Sequence, residues 1–181
     1  MKDVLDGKKI AVIGDSLIYG GSLGKEITWV NKLTKYGMIP YNYGIGGNID
    51  GTLEVCGAKF TFTQAFHSAK HGSPVGFVIE MPGGHTVYHA GDTGLFGDMT
   101  LIAERFQLDV AMLPIGGVFT MDGPLAAKAA AMLKARAAMP IHYATFPILA
   151  QDASAFTEAL AQKAPDCKAL VLEPCQSVDF A

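Results

Sequence analysis

From Gly51 onward the apolar residues change their period, and no other feature constrains the fold of this chain as strongly. Leu53 and Val55, then Phe60 and Phe62, alternate with more polar neighbours on either side of Cys56-Gly57. Side chains two apart share one face of a strand, so this spacing predicts a half-buried hairpin. Gly76–Met81 and His85–His89 predict a second hairpin across Pro82-Gly83-Gly84. Beyond Gly94 strands alternate with helices. Asp98 is a candidate cap for a helix through Phe106, on which Leu101, Ile102 and Phe106 share a face, and Asp109–Leu113 reads as a buried strand. Pro124–Ala138 reads as an alanine-rich helix, Pro140–Tyr143 as a short strand, Asp152–Lys163 as a helix and Ala169–Glu173 as a last strand. Upstream, Lys8–Ile13, the helical stripe of Lys25–Tyr36 stopped by Gly37, and Ile39–Tyr43 form a βαβ pattern. Together these segments predict an α/β fold.

Composition narrows the function. The chain has 181 residues, 50% of them hydrophobic, and a formal net charge of −3. That balance suits one globular domain and gives no electrostatic reason to expect nucleic acid or an anionic membrane as a partner. A small-molecule substrate is expected instead. The longest apolar runs, around Ile10–Ile13 and Val110–Leu113, fall far short of a membrane span. Met1–Ile13 lacks the apolar core of an export signal, so a cytoplasmic location is expected. Cys56, Cys167 and Cys175 are odd in number and show no C-x-x-C spacing, which predicts buried thiols rather than disulfides or a cysteine zinc site.

Three residues stand where predicted strands give way to loops. His67 follows Lys59–Phe66, Asp92 follows His85–His89, and His142 closes the strand after Met139-Pro140. Two imidazoles and a carboxylate suit Zn²⁺, Mn²⁺ or Fe²⁺, and an open coordination position would lower the pKa of a bound water. Taken singly, each has a plainer reading: a hydrogen-bonded structural histidine, or an Asx-turn aspartate in Gly91-Asp92-Thr93-Gly94.

The surrounding wording favours the metal. His67-Ser68, Tyr88 to Asp98, Leu113-Pro114-Ile115-Gly116-Gly117 with Phe119-Thr120-Met121, and Pro140 to Pro147 together resemble the metallo-β-lactamase superfamily, and in particular its small bacterial and archaeal metal-dependent hydrolases. The resemblance covers about residues 48–181. It implies that His67, Asp92 and His142 are the metal ligands and catalytic centre, with Zn or Mn, or alternatively Fe, as the ion. It also implies hydrolysis of phosphodiester or phosphate ester bonds, with carboxylic esters and lactones next. The superfamily's H-x-H-x-D-H loop is missing, since this chain has no histidine before His67. Asp15 and His71 are further candidate ligands, with a helix cap and a solvated loop residue as their alternatives. His89 is expected to orient a ligand by hydrogen bonding, and His85 to be exposed. Lys70, Lys134 and Arg136 are expected to be solvent-facing, with attraction of a phosphate as the alternative.

A second resemblance covers the N-terminus. Ile10-Ala11-Val12-Ile13-Gly14-Asp15-Ser16-Leu17 and Asn42-Tyr43-Gly44-Ile45-Gly46-Gly47-Asn48 resemble the first two blocks of SGNH (GDSL) hydrolases, which implies Ser16 as nucleophile and Gly47 in an oxyanion hole. No histidine here has an aspartate three residues before it, so the base that such a serine needs is missing. A residual serine esterase and a catalytically inactive fusion are the alternative functions. The two resemblances together predict a chimera: residues 1–48 as an SGNH-like βαβ graft and residues 49–181 as a truncated metallo-β-lactamase-like αββα half-sandwich, packed as one domain. An uncovered apolar sheet face would cost about 25 cal/mol per Å², which predicts a homodimer.

Overall fold

The computed structural model describes residues 9–14, 39–44, 51–68 and 74–179. Strands β1 (Lys9–Gly14) and β2 (Ile39–Gly44) pair in parallel, in register from Lys9 with Ile39 to Gly14 with Gly44. That is the strand pairing a βαβ unit requires. The helix expected at Lys25–Tyr36 lies outside the described residues.

The rest of the described chain builds a seven-stranded mixed sheet in sequential order. β3 (Thr52–Val55), β4 (Ala58–Gln64), β5 (Val75–Glu80) and β6 (Thr86–His89) are antiparallel neighbours. β7 (Val110–Pro114), β8 (Ala137–Ile141) and β9 (Lys168–Ala169) then add in parallel, each reached through a helix: α1 (Met99–Arg105), α2 (Gly123–Leu133) and α3 (Ser154–Lys163). The first hairpin turns where the sequence places it, with Cys56 and Gly57 at φ 52° and 80°. Two successive left-handed residues make the tight turn that matches strand twist.

One face of the sheet carries the core. Val78, Tyr88, Ala111 and Ala138 are register partners across four strands, and each is fully buried. Met99 of α1, the alanines and Leu133 of α2, and Phe156 and Leu160 of α3 pack on that row. Short alanine side chains let α2 lie close to the sheet, and Gly123 admits the backbone of α3, since a Cβ there would meet the Phe156 nitrogen at 2.6 Å. On the other face Phe60, Ile79, Val87 and Val110 form one half-buried apolar row, with Phe77, Met112 and Met139 beside it.

Three expectations need correction. The alanine-rich helix stops at Leu133 rather than Ala138, because Lys134 turns left-handed (φ 50°) and Ala137 and Ala138 are drawn into the sheet between β7 and β9. Pairing on both sides overrides the helix propensity of alanine. The last strand is Lys168–Ala169 rather than Ala169–Glu173, ending where pairing with β8 ends. Asp98 precedes α1 but its side chain makes no capping bond; the side chain that does cap a helix is Asp122, accepting from the Leu125 N–H at 2.9 Å. Among the described residues no helix is long and apolar enough to cross a membrane.

Candidate metal centre

The register places the loops after β4, β6, β7 and β8 at one end of the sheet, where Gln64 lies beside Val75, Phe77 beside His89 and Pro114 beside Ile141. For the parallel strands this is the carboxyl end, where open α/β sheets build sites. His67, Asp92 and His142 converge there. Asp92 Oδ2 lies 3.8 Å from His67 Nε2 and 3.7 Å from His142 Nε2. The carboxylate is about half exposed, while the two imidazoles keep 22% and 27% of their side-chain surface, so the far side of Asp92 opens to solvent.

Each member is held by its own loop. Phe66 sits between His67 and the end of β4: its N–H donates to Thr93 Oγ1 at 2.9 Å, and its carbonyl accepts from the Gly94 N–H at 2.9 Å. The fully buried Thr93 hydroxyl donates in turn to the Gly94 carbonyl at 2.7 Å, so the loops carrying His67 and Asp92 are latched together. Asp92 rides on a turn in which Gly91 takes φ 66° and packs so closely that a Cβ would run into the Val75 carbonyl oxygen. His89 steadies the same turn, its Nδ1 accepting from the Gly91 N–H at 3.0 Å. Burial pushes the His89 imidazole below its usual pKa against the opposing pull of the Asp92 charge, which matches the neutral acceptor role of Nδ1. The orienting role expected of His89 is thus exerted through the backbone of the Asp92 turn.

His142 follows β8 in a left-handed conformation, φ 56°, and Ala144 repeats it at φ 57°. Non-glycine residues in that region cost of order 1–3 kcal/mol and cluster at functional sites. The strained loop is clamped by Ala144 N–H to the Ala150 carbonyl and by Ala150 N–H to the Gly116 carbonyl. Gly116 is also the surface against which His142 rests: a Cβ there would meet the His142 carbonyl at 2.5 Å and its Nδ1 at 3.2 Å. His142 Nδ1 is buried without a hydrogen-bond partner.

Do these residues fit a divalent ion? The donor set does, with two imidazole nitrogens facing one carboxylate oxygen. Ligands ~2.1 Å from a tetrahedral ion are ~3.4 Å apart, so each imidazole must close on Asp92 by a few tenths of an ångström. Among the described residues no group of three or more His, Cys, Asp or Glu is placed to hold an ion as it stands. The trio fits a divalent metal in donor chemistry, and binding would need both imidazoles to move toward Asp92. Asp15, His71, Ser16 and Gly47 lie outside the described residues.

His85 and Arg136 are exposed, as expected, and both face Asp109. His85 Nδ1 lies 3.5 Å from Asp109 Oδ2. Arg136 is tied to the same carboxylate at 2.8 Å, at the opposite end of the sheet from the trio, and is not placed to attract a substrate phosphate there. Sequence reasoning quoted Thr93 and Gly116 within motifs but gave them no role; a buried threonine beside a glycine-flanked aspartate was the signal available. It also missed a groove of about 550 Å³ beside His67, walled by Phe66, Pro74, Val118 and Phe119.

Residues 44–143 match the beta-lactamase superfamily domain. The chain belongs to the beta-lactamase superfamily. Its α/β fold is accordingly metallo-β-lactamase-like, with a mixed sheet and few helices. Among relatives in this superfamily, a UPF0173 metal-dependent hydrolase of Nitratidesulfovibrio vulgaris is 51% identical over 135 residues, 75% of this chain and 56% of that protein. Another, from Lawsonia intracellularis, is 43% identical over 163 residues, covering 89% of this chain and 71% of its own length. Among solved structures, Igni18, a metallo hydrolase of the archaeon Ignicoccus hospitalis, superposes with a TM-score of 0.69 at 35% identity, over 92% of this chain and 66% of that one. The chain thus spans little more than half the length of the first of these superfamily members.

These matches give the serine-hydrolase graft and the chimera no support. An alignment covering 89% of the chain leaves out about 20 of its 181 residues, so more than half of residues 1–48 align with a superfamily member. The matched domain itself begins at residue 44, which places Gly47 inside it. A short strand ending in glycine and aspartate is too common a pattern to identify a serine-hydrolase fragment.

Proposed function

We propose that this chain is a metal-dependent hydrolase in which His67 Nε2, Asp92 Oδ2 and His142 Nε2 hold a divalent cation, Zn or Mn before Fe. The observation that carries the reading is the convergence of both imidazoles on one carboxylate oxygen, from three separate loops, at 3.7 to 3.8 Å. A cation bound there supplies a water of lowered pKa as nucleophile and polarises the bond under attack. The chain's own residues do the rest. Thr93 and the Gly91 turn fix the spacing of His67 and Asp92, Gly116 sets the angle of His142, and the open side of Asp92 admits substrate. The relatives named as metal-dependent hydrolases support the reaction class. The phosphodiester and phosphate ester expectation rests on the resemblance alone, while the apolar walls beside His67 favour the carboxylic ester.

The test is metal content per chain together with hydrolysis of an aryl carboxylic ester and an aryl phosphodiester, with and without chelator. His67→Ala, Asp92→Ala and His142→Ala are each expected to lose the ion and to reduce hydrolysis by at least about 100-fold. Hydrolysis unaffected by chelator and by all three changes refutes the reading; if Ser16→Ala then abolishes it, the serine route replaces the metal one. For assembly we propose pairing of two copies over the half-buried apolar face of the sheet, against which a light-scattering mass near 19 kDa, that of a single chain, counts directly.

A further inference from the structure

The groove beside His67 has a chemical character that the trio does not explain. Phe66, Pro74, Val118 and Phe119 wall it, and His67 and Ser68 are its polar side chains. Phe66, Val118 and Phe119 are 56%, 64% and 56% exposed, which is costly for large apolar side chains in water. Phe66 is not loose there, since its ring stands 5.0 Å from that of Phe96 at a 45° tilt. Phe146 and Ile148 add two more exposed apolar side chains on the loop that follows His142 and is tied to Gly116. At about 550 Å³ the groove is roomy enough for an alkyl or aryl group, and it is shallow and open to solvent.

Among the described residues no lysine or arginine borders the groove. Lys59 pairs with Glu80, Arg136 with Asp109, and Lys168 sits beside Ala137, all at the far end of the sheet. Arg105, Lys134 and Lys163 stand at the carboxyl ends of the three helices, which run back from the site toward that same end. On the described walls a phosphodiester would meet phenylalanine and valine rather than a cation.

Resting on the hydrolytic role proposed for the trio, we propose that this groove seats the uncharged alkyl or aryl acyl group of a carboxylic ester, with Val118 and Phe119 as specificity-determining residues. Because His67 is itself a wall of the groove, an acyl chain lying in it brings its carbonyl carbon to the trio. Water oxygen bonds to that carbon, the carbon–oxygen bond to the alcohol breaks, and the water's proton passes to the departing oxygen, giving one carboxylic acid and one alcohol. Nothing but water is consumed.

The experiment compares p-nitrophenyl acetate, butyrate and hexanoate with bis(p-nitrophenyl) phosphate on the metal-loaded protein. In parallel, binding of the unreactive 4-phenylbutyramide is measured by calorimetry on the metal-free protein. For wild type, kcat/KM is expected to rise about two- to fourfold per added methylene as the chain is buried, and to exceed that for the phosphodiester. Phe119→Ser and Val118→Ser, both at exposed positions, are expected to flatten the chain-length slope, lowering kcat/KM for the hexanoate more than for the acetate. The amide is expected to bind wild type and Asp92→Ala alike but to weaken at least fivefold with Phe119→Ser. A flat slope in active wild type, a preference for the phosphodiester, or amide binding indifferent to Phe119 overturns the groove assignment. Absence of all metal-dependent hydrolysis with amide binding intact overturns the hydrolase reading instead, so the two failures are told apart.

Discussion

Replacing Thr93 by valine removes one hydroxyl and almost no volume, and it severs the latch between the loops of His67 and Asp92. The hydroxyl accepts the Phe66 N–H at 2.9 Å and donates to the Gly94 carbonyl at 2.7 Å, in a side chain with no exposed surface. Valine can do neither. A buried donor left without a partner costs about 1–3 kcal/mol, and a carbonyl that loses one of its bonds adds up to about 1 more, partly offset by the added methyl. The expected loss is about 2 kcal/mol. For a chain of this size that corresponds to a fall in Tm of roughly 4–8 °C. Thr93→Ser keeps both bonds and deletes a methyl, so it should lose only about 1 kcal/mol. Both are measured by urea and thermal unfolding of the metal-free protein. The latch also sets ligand spacing, so zinc affinity by calorimetry should fall about tenfold for Thr93→Val and little for Thr93→Ser, as for groups that orient ligands. A valine variant as stable as the serine variant, or one with undiminished zinc affinity, refutes the latch.

Two further outcomes follow from titratable groups far from the trio. Burial alone raises the Asp109 pKa, but the Thr86 N–H, Arg136 and His85 together outweigh it and leave the carboxyl below its usual range. A depressed folded pKa gives stability that is full above the unfolded value of about 4 and is lost as pH falls through the folded value. Asp109→Asn should therefore cost about 1 kcal/mol at pH 7, and the gap to wild type should narrow below about pH 4 in urea melts; a constant gap counts against the assignment. Burial pushes the Cys167 thiol up to about 11, whereas Cys56 and Cys175 are exposed, contrary to the burial expected of all three. Iodoacetamide at pH 8 should modify Cys56 and Cys175 at least ten times faster than Cys167, which peptide mass mapping can check.

The three candidate positions stand out in the sequence because histidine is scarce in the chain. Five histidines leave few places for an imidazole pair, and His67, Asp92 and His142 each fall where a period-two pattern breaks, which is where strands end and site loops begin. What could not be read was the company they keep. The serine-hydrolase resemblance misled because an apolar run followed by Gly14-Asp15-Ser16 is a short sequence pattern that says little about the rest of the chain. The shared partner of Arg136 and His85, Asp109, could not be read because it is distant in sequence and becomes adjacent to them only when β7 pairs with β8 and with β6.

The linear order of alternating and helical periods determined the α/β class, both hairpins and the strand-end positions of the three candidate ligands, since periodicity and turn residues act over a few neighbours at a time. Tertiary structure decided where the alanine-rich helix yields to β8, that the Thr93 hydroxyl joins the loops of His67 and Asp92, and that the described wall beside His67 is apolar. Those outcomes depend on pairings between segments tens of residues apart, such as Phe66 with Thr93, where burial of a donor or an alanine outweighs any local preference.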